Sequence, residues 1–374
     1  MWRSKQFLCE MVNDLFVYDL ELKERLDGIV HEYGESSRLE KVFLDVTNRC
    51  NIQCLHCFTN ANSAIRDELT TAEVKALIDD LAGLGIDRLA LGGGEPLCRR
   101  DIYELIEYSA ARGIRVHISS NGLLLTSERL LRLKKCGLDS VQISIDSSRP
   151  EQHDHLRQKR GLHAICLDAI SRVRDAGLTL LISTTVTSLN IDELEDIVEM
   201  VRTRDVQMHR FIRFVPVGRG EANIGTLYVD GAKLRSRIHE LHTTYAEYYY
   251  GDPDYVHGIP FNGRGVGRGP GPDAQGCEAG RISVDILPNG DVVPCNYLGI
   301  TPRWVCGNIR SEAFADIARR VERRNTLRSL PGSGIEGCSS CSIAYRCGKG
   351  CRAVSYKYYG ALEARDPVCP GIKE

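Results

Sequence analysis

The sequence lacks any stretch approaching the roughly 20 consecutive apolar residues of a membrane helix, and Met1 to Cys9 holds no apolar run long enough for a secretion signal. Those absences argue against a membrane-spanning helix and predict a cytoplasmic location. A net charge is missing too, since 48 Lys and Arg against 50 Asp and Glu leave -2. Without a basic field along the chain, nucleic acid and anionic membrane surfaces are not expected partners. Low hydrophobicity, the mark of disorder, is also absent: 43% hydrophobic residues over 374 positions suffice for two domains with cores. Finally, the cysteines do not come in an even number. Fifteen are present, and an odd count in a compartment expected to be reducing argues against a disulfide framework and for metal or catalysis. Cys9, Cys136 and Cys166 lie in helical patterns and read as small apolar filler.

From Lys41 to about Val217, short β-branched runs alternate with amphipathic stretches, the pattern of repeated βα units around a parallel sheet. Strands are expected at 41–47, 88–92, 114–119, 140–145, 179–186 and 209–215, with helices such as 71–84, 101–112 and 191–201 between them. Six units are too few for a closed eight-unit barrel, so the expected fold class is α/β, a partial (β/α)6 TIM-like barrel. Chemistry in such barrels gathers on the loops after the strand C-terminal ends. Cys50 to Cys57 follow the first strand, Gly92-Gly93-Gly94-Glu95-Pro96 the second, Ser119-Ser120-Asn121-Gly122 the third and Asp146 the fourth. All of them are expected at one mouth.

Four regions follow from this pattern. Residues 1–40 read as an N-terminal helical segment, 41–217 as the barrel, 218–276 as a bridging region and 277–374 as a Cys-dense domain. The bridging region carries a Tyr cluster and ends in a Gly, Pro and Arg-rich stretch at 258–276. There Arg264 and Arg268 could cradle an anion, or the stretch could be an ordinary linker. The last region shows one strand–turn–strand signal around Pro288-Asn289-Gly290-Asp291 and little apolar sequence for a core; a metal staple would explain how it stays folded.

Cys50-x3-Cys54-x2-Cys57 places three thiolates on one short loop, enough to hold a cubane cluster with one iron left open. Structural zinc is the competing reading, but zinc sites usually take four ligands in CxxC-type pairs. The run Cys50-x3-Cys54-Leu55-His56-Cys57, with Phe58 beside it, resembles the signature of the radical S-adenosylmethionine (radical SAM) superfamily. The resemblance implies that the open iron chelates S-adenosylmethionine and that one electron splits it to methionine and a 5′-deoxyadenosyl radical, which abstracts hydrogen from a substrate. It also implies roles for other residues. Gly93-Gly94-Glu95-Pro96 resembles the family's GGEP element, where strand-end carbonyls and Glu95 accept from the ligand's ammonium group. Ser120, Asn121 and Ser144 stand where the family places polar groups near the ribose and methionine moieties, although each could equally be a cap or surface residue. Arg157 resembles the arginine that pairs with the methionine carboxylate; the alternative is a solvated charge beside Lys159 and Arg160. No further catalytic residue is identified.

Cys277-x12-Gly290-x4-Cys295, Cys338-x2-Cys341-x5-Cys347-x3-Cys351 and Cys369 resemble the seven-cysteine SPASM domain, which carries auxiliary iron–sulfur clusters. By that resemblance Cys338, Cys341, Cys347 and Cys369 close one cluster, and Cys277, Cys295 and Cys351 hold another that is one ligand short. Three four-iron clusters are therefore expected. The missing ligand could be an open iron, a non-cysteine group or Cys306, although Cys306 beside Trp304 and Val305 reads as strand packing. The overall resemblance is to SPASM maturases of the mycofactocin and pyrroloquinoline-quinone kind, and Val217-Gly218-Arg219-Gly220 matches their style. It implies a flavodoxin- or ferredoxin-type electron donor and oxidative modification of a ribosomal peptide, with a separate recognition protein as a possible partner. The alternatives are the same chemistry on an aminosugar, nucleoside or tetrapyrrole, or a non-catalytic electron carrier.

Overall fold

The structure, a computed structural model, describes residues 39–63, 67–245, 259–262, 279–280, 282–299, 301–323, 334–335, 337–338, 340–341 and 350–369. Strand β1, Lys41–Thr47, shows why a sheet forms here. Its Val42, Leu44 and Val46 are fully buried on one face, while Lys41 and Phe43 on the other are half-buried. The same alternation recurs in β2 (Arg88–Gly93), β3 (Arg115–Ser120), β4 (Leu138–Ser144), β5 (Thr179–Val186) and β6 (Met208–Arg213). These six strands pair in parallel and in chain order. The expected α/β partial barrel is therefore present, with strand ends within a few residues of expectation.

Helices cover the apolar face. Helix α1 (Thr71–Leu84) starts in a capping box between Thr70 and Glu73 and ends at Gly85, and it buries Val74, Leu77, Ile78 and Leu81. Helices α2 (Ile102–Ala110), α3 (Ser127–Lys135), α4 (Pro150–Arg157), α5 (Leu162–Asp175) and α6 (Leu194–Arg202) continue the layer. Cys166 fills the interior of α5, and Cys136 caps the C-terminus of α3. The opposite strand face lines the lumen, where Lys41, Phe43, His117, Gln142, Ser144 and Arg210 stay half-buried. That polar, half-buried face contrasts with the fully buried apolar layer.

The sheet continues past residue 217. Strand β7 (Ile259–Asn262) pairs antiparallel with β6, and β8 (Ser283–Ile286) pairs parallel with β1 at the other edge. Strands β9 (Asp291–Val293) and β10 (Gly307–Asn308) complete the order β10-β9-β8-β1-β2-β3-β4-β5-β6-β7. The expectation that the C-terminal region has little core of its own is met in an unexpected way. Val284, Ile286 and Val292 join the main barrel core, with Phe314 and Ile317 of the helix at Phe314–Arg323 closing over them. Trp304 belongs to a 3-10 turn, Pro302–Trp304, and not to a strand, because Pro302 removes a ladder donor. The expected N-terminal helices, Cys9, Cys277, Cys347, Arg264 and Arg268 lie outside the described residues.

Candidate functional site

The loop after β1 is fastened by its neighbours' backbone. Gly94 N–H donates to the Thr47 carbonyl and Glu95 N–H to that of Arg49, each at 2.8 Å. A Cβ on Gly93, which has φ +101°, would lie 2.5 Å from the Thr47 carbonyl oxygen, and one on Gly94 would collide with the Arg49 carbonyl. Only glycine lets the second loop lie this close to the first. On the far side Gly218 makes a similar approach: its Cβ would meet the carbonyl oxygens of Cys57, at 2.7 Å, and Phe58. Arg219 then donates to the carbonyls of Cys54 (3.1 Å) and Ala61 (2.6 Å), and Asn223 to that of Leu55 (3.1 Å). The Val217-Gly218-Arg219-Gly220 motif thus clamps the cysteine loop, a role its sequence alone did not reveal.

Cys54 is buried, whereas Cys50 and Cys57 are half-buried. Each sulfur meets a donor: Asn121 Nδ2 lies 3.8 Å from Cys50 Sγ, Arg157 Nη1 3.8 Å from Cys54 Sγ and Ala61 N–H 3.4 Å from Cys57 Sγ, which also meets Thr59 Oγ1 at 3.4 Å. Such donors favour thiolates, as cluster ligation requires. Burial pushes the Cys50 thiol up to about 11 and the Cys54 thiol upward as well, so a metal must displace their protons. Beside Cys50, the buried Asn51 Nδ2 has no hydrogen-bond partner among the described residues. The donor set and this spare donor fit a bound cluster with its ligand.

Glu95 is fully buried and turned away from a simple ligand role. It accepts from Ser120 Oγ at 3.0 Å, Asn121 N–H at 2.8 Å and Leu97 N–H at 3.2 Å, and burial lifts its carboxyl to about 7 despite those bonds. Glu95 and Ser120 therefore tie the second loop to the third. Asn121 keeps its amide at the mouth, bonded to Asn51 Oδ1 at 2.7 Å, and Ser144 ends β4 half-buried on the lumen face.

Arg157 is not a solvated charge. It is buried and donates to Asp146 at 2.6 Å, and Asp146 also faces His56 Nε2 at 3.4 Å and accepts from Thr185 N–H at 2.9 Å. Burial pushes the Asp146 carboxyl up, but Arg157, His56 and His153 outweigh it and hold it at about 2. Burial in turn holds His56 neutral, down at about 4, against the pull of Asp146. The sequence flagged Asp146 only by its place after β4.

In the C-terminal region Cys295 and Cys351 share a cluster of side chains with Tyr297, Trp304 and Tyr356. Cys338 and Cys341 are joined through the Cys341 N–H to Cys338 carbonyl bond, and Cys369 is close enough to help raise the Cys338 thiol above its usual range, after burial. Cys306 packs with the barrel core instead, donating to the Trp304 carbonyl at 3.6 Å. Phe58 and Tyr297 meet edge to face at 5.2 Å, linking the first cysteine loop to the Cys295 loop.

A family model for the radical SAM superfamily matches residues 44–201, and one for the SPASM iron–sulfur cluster-binding domain matches residues 277–342. The AdoMet-dependent heme synthase of Nitratidesulfovibrio vulgaris is 33% identical over 343 residues, 87% of this chain and 90% of that protein. The chain belongs to the radical SAM superfamily, with a SPASM domain. It is an enzyme of that family, which implies S-adenosylmethionine and iron–sulfur clusters. The mycofactocin maturase MftC of Mycolicibacterium smegmatis is 30% identical over 87% of this chain and 81% of its own length. In fold the chain is similar to Streptococcus suis SuiB, solved with S-adenosylmethionine and with the precursor peptide SuiA. The TM-score is 0.68 in both cases, at 17% and 16% identity, covering 98% and 96% of this chain and 87% and 86% of SuiB. No helix among the described residues is long and apolar enough to cross a membrane.

Proposed function

We propose that this radical SAM enzyme cleaves S-adenosylmethionine reductively at the mouth of the barrel and takes a hydrogen atom from a ribosomally made peptide held in the lumen. When bound, a four-iron cluster supplies the electron that splits the sulfonium. Cys50, Cys54 and Cys57 would hold that cluster. Cys277, Cys295 and Cys351 would hold one auxiliary cluster, and Cys338, Cys341, Cys347 and Cys369 a second, making three. The observation that carries the reading is the fastened cysteine loop, whose three sulfurs each face a donor.

The chain's own residues have distinct tasks. The strand-end carbonyls beside Gly93 and Gly94 can accept from the ligand's ammonium group, with Glu95 behind them holding the third loop. Arg157, fixed by Asp146, presents a guanidinium next to Cys54 for the ligand's carboxylate. Asn121 and Ser144 would serve the ribose and methionine parts. Peptide modification is supported by the likeness to the mycofactocin maturase and, in fold, to peptide-bound SuiB. A second reading, a tetrapyrrole substrate, is favoured by the 33% identity to the heme synthase.

Incubating the reduced, reconstituted protein with S-adenosylmethionine should yield 5′-deoxyadenosine. The variant with Cys50, Cys54 and Cys57 all replaced by Ala should yield none and lose about four irons per chain. Retained cleavage would sink the assignment. Deuterium transfer into 5′-deoxyadenosine from a labelled precursor peptide, or from a labelled iron-porphyrin, then decides between the substrates.

A further inference from the structure

A buried ion pair at the C-terminal end of strand β6 joins that strand to the C-terminal cysteines. Arg213, at the end of β6, donates through both terminal nitrogens to Asp366, each at 2.9 Å. The two side chains are 5% and 3% exposed, so this is a bidentate pair withdrawn from water. Asp366 has further work. Its Oδ2 accepts from Cys351 N–H at 2.5 Å, its Oδ1 from Val368 N–H at 3.0 Å, and its carbonyl from Cys369 N–H at 2.8 Å. Gly350 lies against it so closely that a Cβ would come within 2.7 Å of Oδ2. The Arg213 guanidinium is also near enough to Cys351 for the two to interact electrostatically.

One residue therefore holds the backbone of two cysteines that the cluster assignment gives to different auxiliary clusters, Cys351 through its carboxylate and Cys369 through its main-chain carbonyl. One guanidinium holds that carboxylate from the barrel and stands beside one of the sulfurs. A surface contact between two layers would need neither feature. Burying an ion pair is costly, and the cost is offset here by a fully used acceptor set.

We propose that Arg213 and Asp366 are positioning residues for the auxiliary clusters: Asp366 fixes the Cys351 and Cys369 loops, and Arg213 ties them to β6 while placing a permanent positive charge beside Cys351. The inference rests on the three-cluster reading above. A positive charge near a ligating sulfur favours the reduced form of a cluster, so it raises the potential.

The test uses the full chain with Cys50, Cys54 and Cys57 replaced by Ala, so that only auxiliary iron remains. Iron per chain and the midpoint potential of the auxiliary paramagnetic signal are measured with Arg213 intact and in Arg213→Gln, Arg213→Lys and Asp366→Asn. Arg213→Gln should shift the potential to more negative values, and Arg213→Lys, which keeps the charge, should return most of that shift. Asp366→Asn should lower iron occupancy or split the signal into several species, because a neutral amide with one acceptor oxygen can no longer hold Arg213 together with the Cys351 and Val368 N–H groups. If Arg213→Gln fails to fold, Arg213→Lys and Asp366→Asn carry the test by their spectra. An unchanged potential and iron content in all the variants that fold would reduce the pair to a packing contact and overturn the proposal. Absence of any iron in the starting triple variant would overturn it differently, by removing the auxiliary clusters themselves.

Discussion

Replacing Arg157 with Ala would leave Asp146 ionised in a fully buried position with its principal cation gone. The magnitude can be worked from the barrel itself. Asp45, also buried and with no cation lowering it, has its carboxyl pushed by burial to about 7, whereas Asp146 sits at about 2. Moving Asp146 the whole way would cost about 7 kcal/mol, at about 1.4 kcal/mol per pH unit. His56, His153 and the Thr185 N–H remain, and the site can relax, so the expected loss is about 3–5 kcal/mol, the range for breaking a buried pair.

The sign with pH follows from the two positions of the carboxyl. In the native chain Asp146 lies below the ordinary 3.8, so its stabilising effect is complete above that value and is lost only as pH falls through about 2. In Arg157→Ala the carboxyl lies above 3.8, and the penalty is full at high pH and fades as pH falls from about 7 toward 4. Urea denaturation under anaerobic conditions, followed by circular dichroism, should therefore show a deficit that is smaller at pH 4.5 than at pH 8, by up to about 1.5 kcal/mol. Adding Asp146→Asn to the variant should recover part of the loss at pH 8. A deficit below about 1 kcal/mol, or one that is equal at both pH values, would refute the reasoning.

Two further outcomes are expected. Gly218→Ala forces a side chain into φ +59°, ψ -134°, a region essentially reserved for glycine, and against the Cys57 and Phe58 carbonyls; strain of about 1–3 kcal/mol should displace the clamp and cut iron bound at the first site, measured in a variant whose auxiliary cysteines are replaced. Cys306→Ala should leave iron content and resting spectrum unchanged, since Cys306 packs with the barrel core while Cys295 and Cys351 gather around Tyr297; a changed spectrum would make it a ligand.

The barrel was legible because period-two burial is a local property. Val42, Leu44 and Val46 against Lys41 and Phe43 can be read without knowing any contact. The glycines at 93 and 94 were legible for a related reason, since a Gly pair after a strand signals close backbone approach. Arg157 was half legible. Its residue type could be read, and the structure buries it beside Cys54, but its partner Asp146 is 11 residues away and reached through the turn into α4, which no pattern states. Gly218 and Arg219 were visible as a motif without a task, because their partners Cys54, Cys57 and Ala61 are about 160 positions earlier in the chain. Strand β7 escaped for the same reason, and β8, signalled with β9 as a strand–turn–strand, gave no hint that it pairs with β1, since a strand of four residues does not state the edge it joins.

That difference also explains why the family is easier to read than the substrate. At the mouth, function is fixed by backbone: carbonyls of Thr47 and Arg49 receive N–H groups of the next loop, and the glycines needed for that approach leave a signature in the sequence. In the lumen the determinants are side chains on alternate strand positions, where many residue types satisfy the same pleat. His117 bonds Ser140 at 2.9 Å, and burial, then Arg210, keep its ring neutral, down at about 4. Lys41, Gln142 and Arg210 stand half-buried around the same chamber. A chamber wall that offers a neutral imidazole, an amide and two cations can meet carboxylates or peptide groups alike, since both present acceptors to these donors. The loops therefore carry the family signature, and under the proposed function discrimination between a peptide and a tetrapyrrole would come from the shape those lumen side chains leave open, because the hydrogen-bonding character of the wall suits both.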